Sequence, residues 1–417
     1  MAVDADCIIV GGGIGGAVLA LALAQAGRRA IILERSATPP PSAFARPEIL
    51  AGATVETFTR LSIGERITRE AAVPLDGLEL YEAGGRDILF RVTQDDIRAS
   101  RARPYSTDPA ATRRIVLEEA ARTGRVAIER GVEVQGLLRH GQTVVGVRAV
   151  KSGASCEYRA PLTVGDDGTH SRLRDALHIP VTLRNFAFDF LGAVIPRAPE
   201  QPDRVGQAWL NVAGMRRGLF AGLRLPIPGN RTALVFGVTP AILARLRRRP
   251  DTFHPHAAHL SPVFAAAALP EFPEGYGHFS RPFGHAARYV GDGVALLGDA
   301  AHPVTPAGGQ GANMSVADAI VLARVAMEGL RTGDCSVRRL AAYENERRPA
   351  NARSLLFSRR PTTVFRFLQA VPFAGPLLLS FIRRANRRPD TKRRFVGGVA
   401  RAFLSSTGAG LGPAGSP

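Results

Sequence analysis

The N-terminal part of the chain consists of short apolar runs separated by a glycine-rich turn. Residues 6–10 and 30–33 have the pattern of short buried strands, and residues 17–25 are rich in Ala and Leu, as a buried helix would be. Gly27 follows the last apolar turn, where glycine commonly ends a helix. The order of strand, turn, helix and strand predicts a βαβ-type unit and the beginning of a parallel sheet.

The middle of the chain carries both kinds of pattern. Residues 109–123 predict a helix, and residues 162–164 form an apolar run typical of a buried strand. Strand patterns at residues 186–194 and 232–238 indicate a second sheet. Alternation typical of antiparallel strands occurs in four further runs, at residues 126–129, 133–137, 144–150 and 157–160.

Residues 294–297 predict one more buried strand, and residues 310–329 predict a long helix. Together the patterns indicate an α/β fold, with a Rossmann-like parallel sheet, an interleaved antiparallel sheet domain and a helical C-terminal segment. A chain of 417 residues exceeds the size at which single cores usually split. The predicted parts are a discontinuous first domain (residues 1–72, 106–178 and 286–350), a second sheet domain (73–105 and 179–285), a helical segment (351–404) and a disordered tail (405–417).

Charge and cysteine content narrow the class of protein. The formal net charge is +18, of which residues 353–417 carry +11 from twelve basic residues and one acid, Asp390. The three cysteines, Cys7, Cys156 and Cys335, are far apart and form no C-x-x-C pair, which argues against a disulfide framework or a cysteine metal site. No signal-peptide pattern precedes the first strand. A cytoplasmic location is therefore expected, and no nucleic-acid partner is predicted.

The glycine-rich turn at residues 11–16 has the pattern G-x-G-x-x-G between a strand and a helix. Gly11 permits the tight turn, Gly13 allows a pyrophosphate to approach the backbone, and Gly16 allows close packing of helix on strand. Ile14 is a further candidate cofactor-binding residue of this turn, and the N-terminus of the helix that follows offers free N–H groups to phosphates. Glu34, followed by Arg35, closes the second strand, where a carboxylate binds ribose hydroxyls. These features predict dinucleotide binding, and the alternative is a glycine-rich turn without a ligand.

Two further motifs follow buried strands. Asp167 and Gly168 lie in a polar turn after residues 162–164, and Gly298 and Asp299 follow residues 294–297. Ligands of open α/β sheets bind at the carboxyl ends of the strands, where an ionised Asp299 would accept hydrogen bonds from a polyol. The alternatives are a surface turn for the first motif and a helix-capping role for Asp299.

A fourth motif spans residues 306–313 at the beginning of the predicted long helix. Its glycines expose backbone N–H groups at a helix N-terminus, which suits a developing negative charge. The candidate catalytic residues of this motif are Pro306, Gly309, Gln310 and Gly311. The candidate cofactor-binding residues of the same motif are Gly311, Ala312 and Asn313.

Three of these motifs resemble the signatures of the group A flavoprotein monooxygenases and occur in the same order, within the span of residues 6–348. They are the glycine-rich turn, the pair Asp167-Gly168 (the D-G motif) and the pair Gly298-Asp299 (the G-D motif). The group A enzymes are single-component aromatic hydroxylases related to p-hydroxybenzoate hydroxylase and to the ubiquinone-pathway hydroxylases. The resemblance implies non-covalently bound FAD, NADPH or NADH as a transient electron donor, and O₂. Oxygen would reach the substrate through a flavin C4a-hydroperoxide. The first domain would then bind FAD and the second sheet would bind substrate.

The resemblance also implies roles for single residues. Asp299 would hold the ribityl chain, Pro306 would lie beside the flavin where oxygen reacts, and the residues from Gly309 to Asn313 would bind the isoalloxazine edge. Three more positions would contact the FAD, namely Arg46 near the pyrophosphate, Arg114 on the helix at 109–123, and the backbone of Val134 at the adenine.

The function expected is hydroxylation or epoxidation of a hydrophobic small molecule, aromatic or prenylated, in secondary metabolism. One alternative is an FAD-dependent reductase of isoprenoid double bonds, similar to geranylgeranyl reductases. The other is a non-catalytic binding protein on the same frame, similar to GDP dissociation inhibitors. No second G-x-G-x-x-G follows a strand, so a separate nicotinamide domain is not expected.

Two remaining segments each allow two interpretations. His254, His256 and His259 lie within six residues, but no acid or cysteine completes a metal site, so a loop and no metal are predicted. Residues 361–382 are largely apolar and flanked by arginines, and prolines interrupt them too often for a membrane-spanning helix. They predict either a helix pair packed on the body or peripheral contact of residues 353–401 with an anionic membrane. The oligomeric state is not predicted.

Overall fold

The computed structural model describes residues 3–38, 48–85, 87–100, 103–280, 282–305, 309–371 and 373–407. Over these residues the strands are β1 (Cys7–Val10), β2 (Ala30–Glu34), β3 (Glu48–Ala51), β4 (Ala72–Pro74), β5 (Gly77–Glu82), β6 (Ile88–Val92), β7 (Pro104–Thr107), β8 (Val126–Arg130), β9 (Val132–His140), β10 (Thr143–Lys151), β11 (Ala154–Arg159), β12 (Leu162–Gly165), β13 (Asp189–Pro196), β14 (Val205–Leu210), β15 (Ala221–Ile227), β16 (Arg231–Val238), β17 (Gly277–Phe279), β18 (Val290–Gly291) and β19 (Val294–Leu296). The helices are α1 (Ile14–Gln25), α2 (Gly52–Arg60), α3 (Gly64–Glu70), α4 (Gln94–Ser100), α5 (Pro109–Arg122), α6 (Arg172–Ala176), α7 (Pro240–Arg248), α8 (Phe253–Leu260), α9 (Pro262–Ala265), α10 (Gln310–Thr332), α11 (Val337–Ala370), α12 (Ala374–Arg387) and α13 (Pro389–Ser406). The predicted α/β fold class is confirmed.

The first sheet has the strand order β18-β19-β12-β1-β2-β8, and all its neighbouring strands are parallel except β18 and β19. Strand β1 is buried along its whole length, as expected for an apolar run in a parallel sheet. Because parallel strands end at the same edge, the turns that follow β1, β12 and β19 meet there. The first sheet thus brings together motifs that lie far apart in the sequence.

Strands β9, β10 and β11 form an antiparallel sheet of their own, as the alternating pattern predicts. The same prediction is wrong for β8, which lies parallel to β2 at the edge of the first sheet. Helix α5 precedes β8 and packs on α1, so it carries the chain across the sheet. A crossover of that kind produces a parallel neighbour.

The second large sheet has the order β17-β13-β16-β15-β14-β5-β6 and is antiparallel except for the pair β14 and β5. Its core includes Trp209, Phe236, Phe253 and Phe264, all less than 3 % exposed. The predicted loop at the histidine run is wrong, because these residues belong to α8. Phe253 and Leu260 are fully buried at the two ends of that helix and pack it on the sheet.

The C-terminal half of α11 and helix α12 pack against the second sheet. Phe365 and Leu368 of α11 form an apolar cluster with Phe188 and Phe220 of the sheet region. In the described part of the chain, no helix is both long and apolar enough to span a bilayer. The long helices therefore link the second sheet to α10, which packs on α1.

Candidate cofactor and active site

The turn after β1 is held by contacts that leave no room for side chains. The N–H of Gly11 donates to the carbonyl of Leu33 at 2.8 Å, and Gly11 has φ 103°. A Cβ there would lie 2.2 Å from the carbonyl oxygen of Asp166. A Cβ on Gly16 would lie 2.8 Å from the carbonyl oxygen of Gly11, so glycine at this position allows α1 to approach β1. The N-terminus of α1 thus opens directly onto the edge of the sheet.

Glu34 at the end of β2 faces this turn. Its Oε2 accepts a hydrogen bond from the N–H of Gly12 at 3.1 Å, and its Oε1 accepts one from the N–H of Ser36 at 2.8 Å. These bonds hold the carboxylate beside the glycine turn. A carboxylate in this place is suited to bind the hydroxyls of a ribose.

A cavity of about 540 Å³ lies along the same edge of the first sheet. Among its lining residues are seven of the predicted cofactor-binding residues: Gly11, Gly13, Glu34, Arg35, Val134, Asp167 and Gly168. Ile14 and Gly16 belong to the helix turn beside it. The cavity therefore follows the predicted dinucleotide path from the glycine turn to the D-G motif.

The D-G motif forms the turn after β12. Asp167 Oδ2 accepts a hydrogen bond from the N–H of Leu173 at 3.1 Å, and burial raises the pKa of this carboxyl. Its Oδ1 is buried and accepts no hydrogen bond from the described residues. Gly168 has φ 82°, a backbone conformation that favours glycine. The unpaired oxygen is a group that a bound ligand's hydroxyl would satisfy.

A second acid in this turn, Asp166, was not singled out by the sequence analysis. Its Oδ2 accepts a hydrogen bond from the N–H of Gly16 at 2.8 Å, and a Cβ on Gly13 would lie 2.5 Å from the same oxygen. Burial and the carboxylates of Asp299, Asp167 and Asp318 raise its pKa well above the usual range. The signal in the sequence was the Asp-Asp pair itself, one more acid than the motif requires.

The G-D motif meets the D-G motif in space. Gly298 has φ 59°, and a Cβ there would lie 2.9 Å from Ser315 Oγ and 3.1 Å from Asp166 Oδ1. Thr169 Oγ1 donates to Asp299 Oδ2 at 3.5 Å. Asp299 therefore stands at the carboxyl edge of the sheet, as predicted from its position after a buried strand, although it does not line the cavity itself.

A fully buried polar network supports the G-D turn from behind. Asp318 on α10 accepts hydrogen bonds from Arg347 Nε at 2.8 Å and Asn351 Nδ2 at 3.0 Å, and it also pairs with His302 Nε2. The N–H of Gly298 donates to Asp318 at 3.3 Å. Burial opposes ionisation of this carboxyl, but His302 and Arg347 outweigh it and lower the pKa of Asp318 below its usual range.

The beginning of α10 is fixed by Asn313. Its Oδ1 accepts from the N–H of Ala51 at 2.9 Å and from Thr54 Oγ1 at 2.6 Å, while its Nδ2 donates to the carbonyls of Ile49 and Gly309. The side chain thus has no hydrogen-bonding capacity left for a cofactor. If Asn313 contacts a flavin, it does so through its backbone.

The structure describes the other candidates of the motif at residues 306–313 except Pro306. Gly309 has φ 62° and precedes α10, Gln310 is fully buried, and Gly311 and Ala312 lie in the first turn of the helix. Pro306 and Arg46 lie outside the described residues. Their implied positions beside the flavin and the pyrophosphate stay predictions.

The structure does not bring Arg114 to the cavity. This side chain is 49 % exposed on α5 and pairs with Glu118 at 2.9 Å and with Glu70 at 3.6 Å. A different arginine, Arg172, lines the cavity and donates to the carbonyl of Val134 at 2.9 Å. The sequence analysis did not assign it a role because it lies four residues beyond Gly168, outside the two-residue motif.

The histidine run on α8 lies apart from these motifs. His254 Nε2 is 3.1 Å from the carbonyl of Pro270, and burial lowers the pKa of His256. Within the part of the chain that the structure describes, no three His, Cys, Asp or Glu side chains are grouped as a metal site would require.

The residues at the sheet edge fit FAD. The N-terminus of α1 suits phosphates, Glu34 suits a ribose, Asp167 has a buried oxygen without a partner, and Asp299 lies further along the edge. Together these positions form a site suited to a long dinucleotide.

Comparison with known proteins gives the same result. Residues 4–358 match the family described as FAD binding domain. The chain is 29% identical to ubiquinone hydroxylase UbiL of Rhodospirillum rubrum, over 91% of this chain and 89% of the relative. It is 27% identical to the 6-methylpretetramide 4-monooxygenase of Streptomyces rimosus, over 84% of this chain and 81% of the relative.

Among solved structures, p-nitrophenol 4-monooxygenase PnpA from Pseudomonas putida shares the fold, with a TM-score of 0.78 at 20% identity over 98% of this chain and 99% of that one. Motifs, geometry and family match agree. The chain therefore belongs to the FAD-binding family of flavin-dependent monooxygenases, and FAD is its cofactor.

Proposed function

We propose that this enzyme uses NADPH or NADH and O₂ to hydroxylate or epoxidise a hydrophobic aromatic or prenylated small molecule. The observation that carries the proposal is a cluster of phenylalanines next to the G-D turn. Its rings are Phe186, Phe188, Phe190, Phe220, Phe283 and Phe365. All of these rings except Phe190 are less than 10 % exposed, and an apolar, ring-rich environment of this kind favours an apolar substrate beside it.

The cluster is connected directly to the cofactor edge. The N–H of Gly284, next to Phe283, donates to the carbonyl of Pro303 at 2.9 Å. Pro303 follows His302 of the Asp318 network, on the segment that leads from the G-D turn to α10. A substrate on the phenylalanine cluster would therefore lie close to the predicted flavin edge.

Each part of the protein has a distinct task in this proposal. When bound, FAD would supply the redox chemistry, by the route that the family resemblance implies: two electrons from the nicotinamide donor reduce O₂, one oxygen atom enters the substrate and the other leaves as water. The N-terminus of α10 stabilises negative charge on its ligand, because free N–H groups and the helix dipole favour an anion there. The phenylalanine cluster orients the substrate and excludes water.

The names of the relatives support oxygenation as the reaction. The ubiquinone hydroxylase and the 6-methylpretetramide monooxygenase are both named for oxygenation. The isoprenoid reductase of the sequence analysis would use the same cofactor edge without consuming O₂. A non-catalytic binding protein would need neither electron donor nor oxygen.

The decisive experiment measures oxygen uptake and NADPH or NADH oxidation over a panel of aromatic and prenylated compounds. We expect at least one compound to stimulate both and to gain one oxygen atom, detected by mass spectrometry with ¹⁸O₂. Donor oxidation with a saturated product and no oxygen uptake would establish the reductase instead. A flavin-free protein that takes up no FAD would leave only the binding protein.

We also propose that the C-terminal helices contact an anionic membrane from which such a substrate is drawn. Of nine exposed large hydrophobic residues in the described part of the chain, seven lie between residues 356 and 395. Phe373, Leu377 and Phe381 are 74 %, 65 % and 61 % exposed. Their spacing of four residues places them on one face at and along α12.

Basic residues surround this apolar stripe. Arg384 lies three residues after Phe381 and Arg388 four residues after Arg384, and neither arginine pairs with a carboxylate among the described residues. The opposite face of α12 packs on the body through Ala374 and Leu379. One face of α12 thus supports packing on the body, and the exposed face supports contact with an anionic membrane. Two copies of so basic a surface would repel each other, which favours an anionic bilayer over a dimer.

A further inference from the structure

Asp166 places a carboxylate where the cofactor site needs to receive negative charge. Its Oδ2 lies 2.8 Å from the N–H of Gly16 in the first turn of α1, and it would crowd any side chain at Gly13. These are the backbone groups at which a dinucleotide pyrophosphate binds. Asp166 also lines the cavity. A negative ligand and this carboxyl group therefore share one small space.

The carboxylates that act on Asp166 come from three parts of the chain, whereas the basic side chains lining the same cavity, Arg35, His170 and Arg172, form no ion pair with it among the described residues. Asp167 lies in the same turn, Asp299 faces it from the G-D motif, and Asp318 faces it from α10. The counteracting group is the N-terminus of α1, through the N–H of Gly16. No Arg, Lys or His of the described chain forms an ion pair with Asp166. The pKa of Asp166 is accordingly raised by burial first and by these carboxylates second, even without a ligand.

We propose that Asp166 takes up a proton when FAD binds, so that the affinity for FAD falls as the pH rises. The pyrophosphate of FAD carries negative charge, and the filled cavity excludes water from the carboxyl group. Both effects disfavour the charged form of an acid. In its protonated form Asp166 no longer repels the phosphates. This inference rests on FAD binding alone and not on the oxygenation chemistry.

The sign of the pH dependence follows from linkage. Below the pKa of Asp166 in the FAD-free protein the acid is already protonated, and affinity does not change with pH. Between that pKa and the higher value in the complex, binding takes up a proton, and the dissociation constant rises by up to about tenfold per pH unit. Above the higher value the dependence ends.

The competing role is that of an ionised cap for α1. A carboxylate near the first turn of a helix stabilises it through the N–H groups and the dipole. In that case the charge would help to keep the turn in place, and FAD would bind without proton uptake. The two roles predict opposite effects of removing the charge.

FAD binding to the flavin-free full-length protein would be titrated by flavin fluorescence from about pH 6 to about pH 9. Calorimetry in two buffers of different ionisation enthalpy would count the protons taken up. The variants are Asp166→Asn, which removes the charge and keeps the shape, and Asp175→Asn, whose side chain is 71 % exposed outside the cavity lining, as the control. Asp166→Ala serves as a second variant if Asp166→Asn does not fold.

We expect the wild type and Asp175→Asn to bind FAD more weakly at higher pH, with uptake of up to one proton. Asp166→Asn should show little pH dependence and bind FAD at least as tightly as the wild type at the alkaline end. An unchanged pH slope in the folded Asp166 variants, or a wild type without proton uptake, would overturn the proposal. Loss of FAD affinity at all pH values in both variants would establish the capping role instead.

Discussion

At the scale of single residues, the edge of the first sheet that binds FAD depends on glycines whose neighbours leave no space for a Cβ atom. The glycines of the first turn touch backbone and carboxyl oxygens of the turn after β12, and Gly298 touches Ser315 and Asp166 in the same way. The two turns are 150 residues apart in sequence at Gly16 and Asp166. Glycine at these positions therefore joins distant parts of the chain as well as admitting a ligand.

The variant Gly13→Val tests this contact. Its side chain would overlap Asp166 Oδ2 and the space that the phosphates need, and such overpacking costs about 1–3 kcal/mol. We expect FAD to bind at least about fivefold more weakly, with the circular dichroism spectrum largely kept. Gly136→Val on β9, where a Cβ meets nothing within 4 Å, is the matched control. Equal FAD affinity in the two folded variants would contradict the assignment of the turn.

The variant Asp318→Asn tests the buried network. It removes the buried negative charge with which Arg347 and His302 both pair, so the free energy of unfolding at neutral pH should fall by about 3–5 kcal/mol in urea titrations. Because folding lowers the pKa of Asp318, its stabilisation is full above the unfolded pKa of about 4 and is lost as the pH falls below it. The difference between wild type and variant should narrow in that acidic range.

Glu328→Gln is the control for Asp318→Asn, since Glu328 lies on the same helix and forms an exposed pair with Arg331. Exposed pairs contribute little, so this variant should unfold within about 1 kcal/mol of the wild type. If both variants lose the same small amount, the network does not stabilise the G-D turn.

At the scale of helices and strands, local patterns predicted most elements and failed where distant contacts decide. The alternation at residues 126–129 indicates a strand, but only the crossover through α5 makes β8 parallel. The histidine run contains Pro255 and three histidines, which are poor or weak helix formers, and α8 forms because Phe253 and Leu260 bury against the second sheet. In both cases contacts with distant parts of the chain decided what the local pattern left open.

The C-terminal helices should bind to anionic membranes through their exposed apolar and basic residues. The full-length protein should co-sediment with vesicles containing phosphatidylserine, and this binding should weaken at high salt, because each basic residue near an anionic surface contributes up to about 1 kcal/mol. The triple variant Phe373→Ser, Leu377→Ser and Phe381→Ser should lose most of the binding. Val337→Ser, at the far end of α11 and 40 % exposed, is the control.

The oligomeric state of the wild type and the variants is measured by light scattering alongside the sedimentation experiment. A folded, yellow protein that stays in the supernatant at low salt would rule out the membrane contact. If the triple variant changes the protein from dimer to monomer and leaves vesicle binding intact, the apolar stripe is an interface between copies. Binding only to vesicles of neutral lipid would show that the arginines have no part.

At the scale of the whole molecule, the site was predictable where chemistry is written into short motifs. The glycine turn, Glu34, Asp167, Gly168 and Asp299 lie along one edge because parallel strands end together. The pairing of Asp318 with Arg347 could not be predicted, because the two residues lie 29 positions apart on two different helices, α10 and α11. Arg114 lies outside the cavity lining, because a motif does not specify which face of a helix meets the ligand, and its contact with FAD stays a prediction.

The strand order of the first sheet has a consequence for the synthesis of this protein. The edge that receives FAD needs β1, β12 and β19, and these are joined only after Thr163 pairs with Val294. At about 5–20 residues per second, the last of the three strands leaves the ribosome roughly 15–60 s after the first. Strand β1 can pair with β2 and β12 earlier, but the sheet edge is complete only when β19 has paired with β12. A nascent chain therefore cannot form the complete flavin site before β19 has emerged, and flavin supply acts on the finished protein, by mass action.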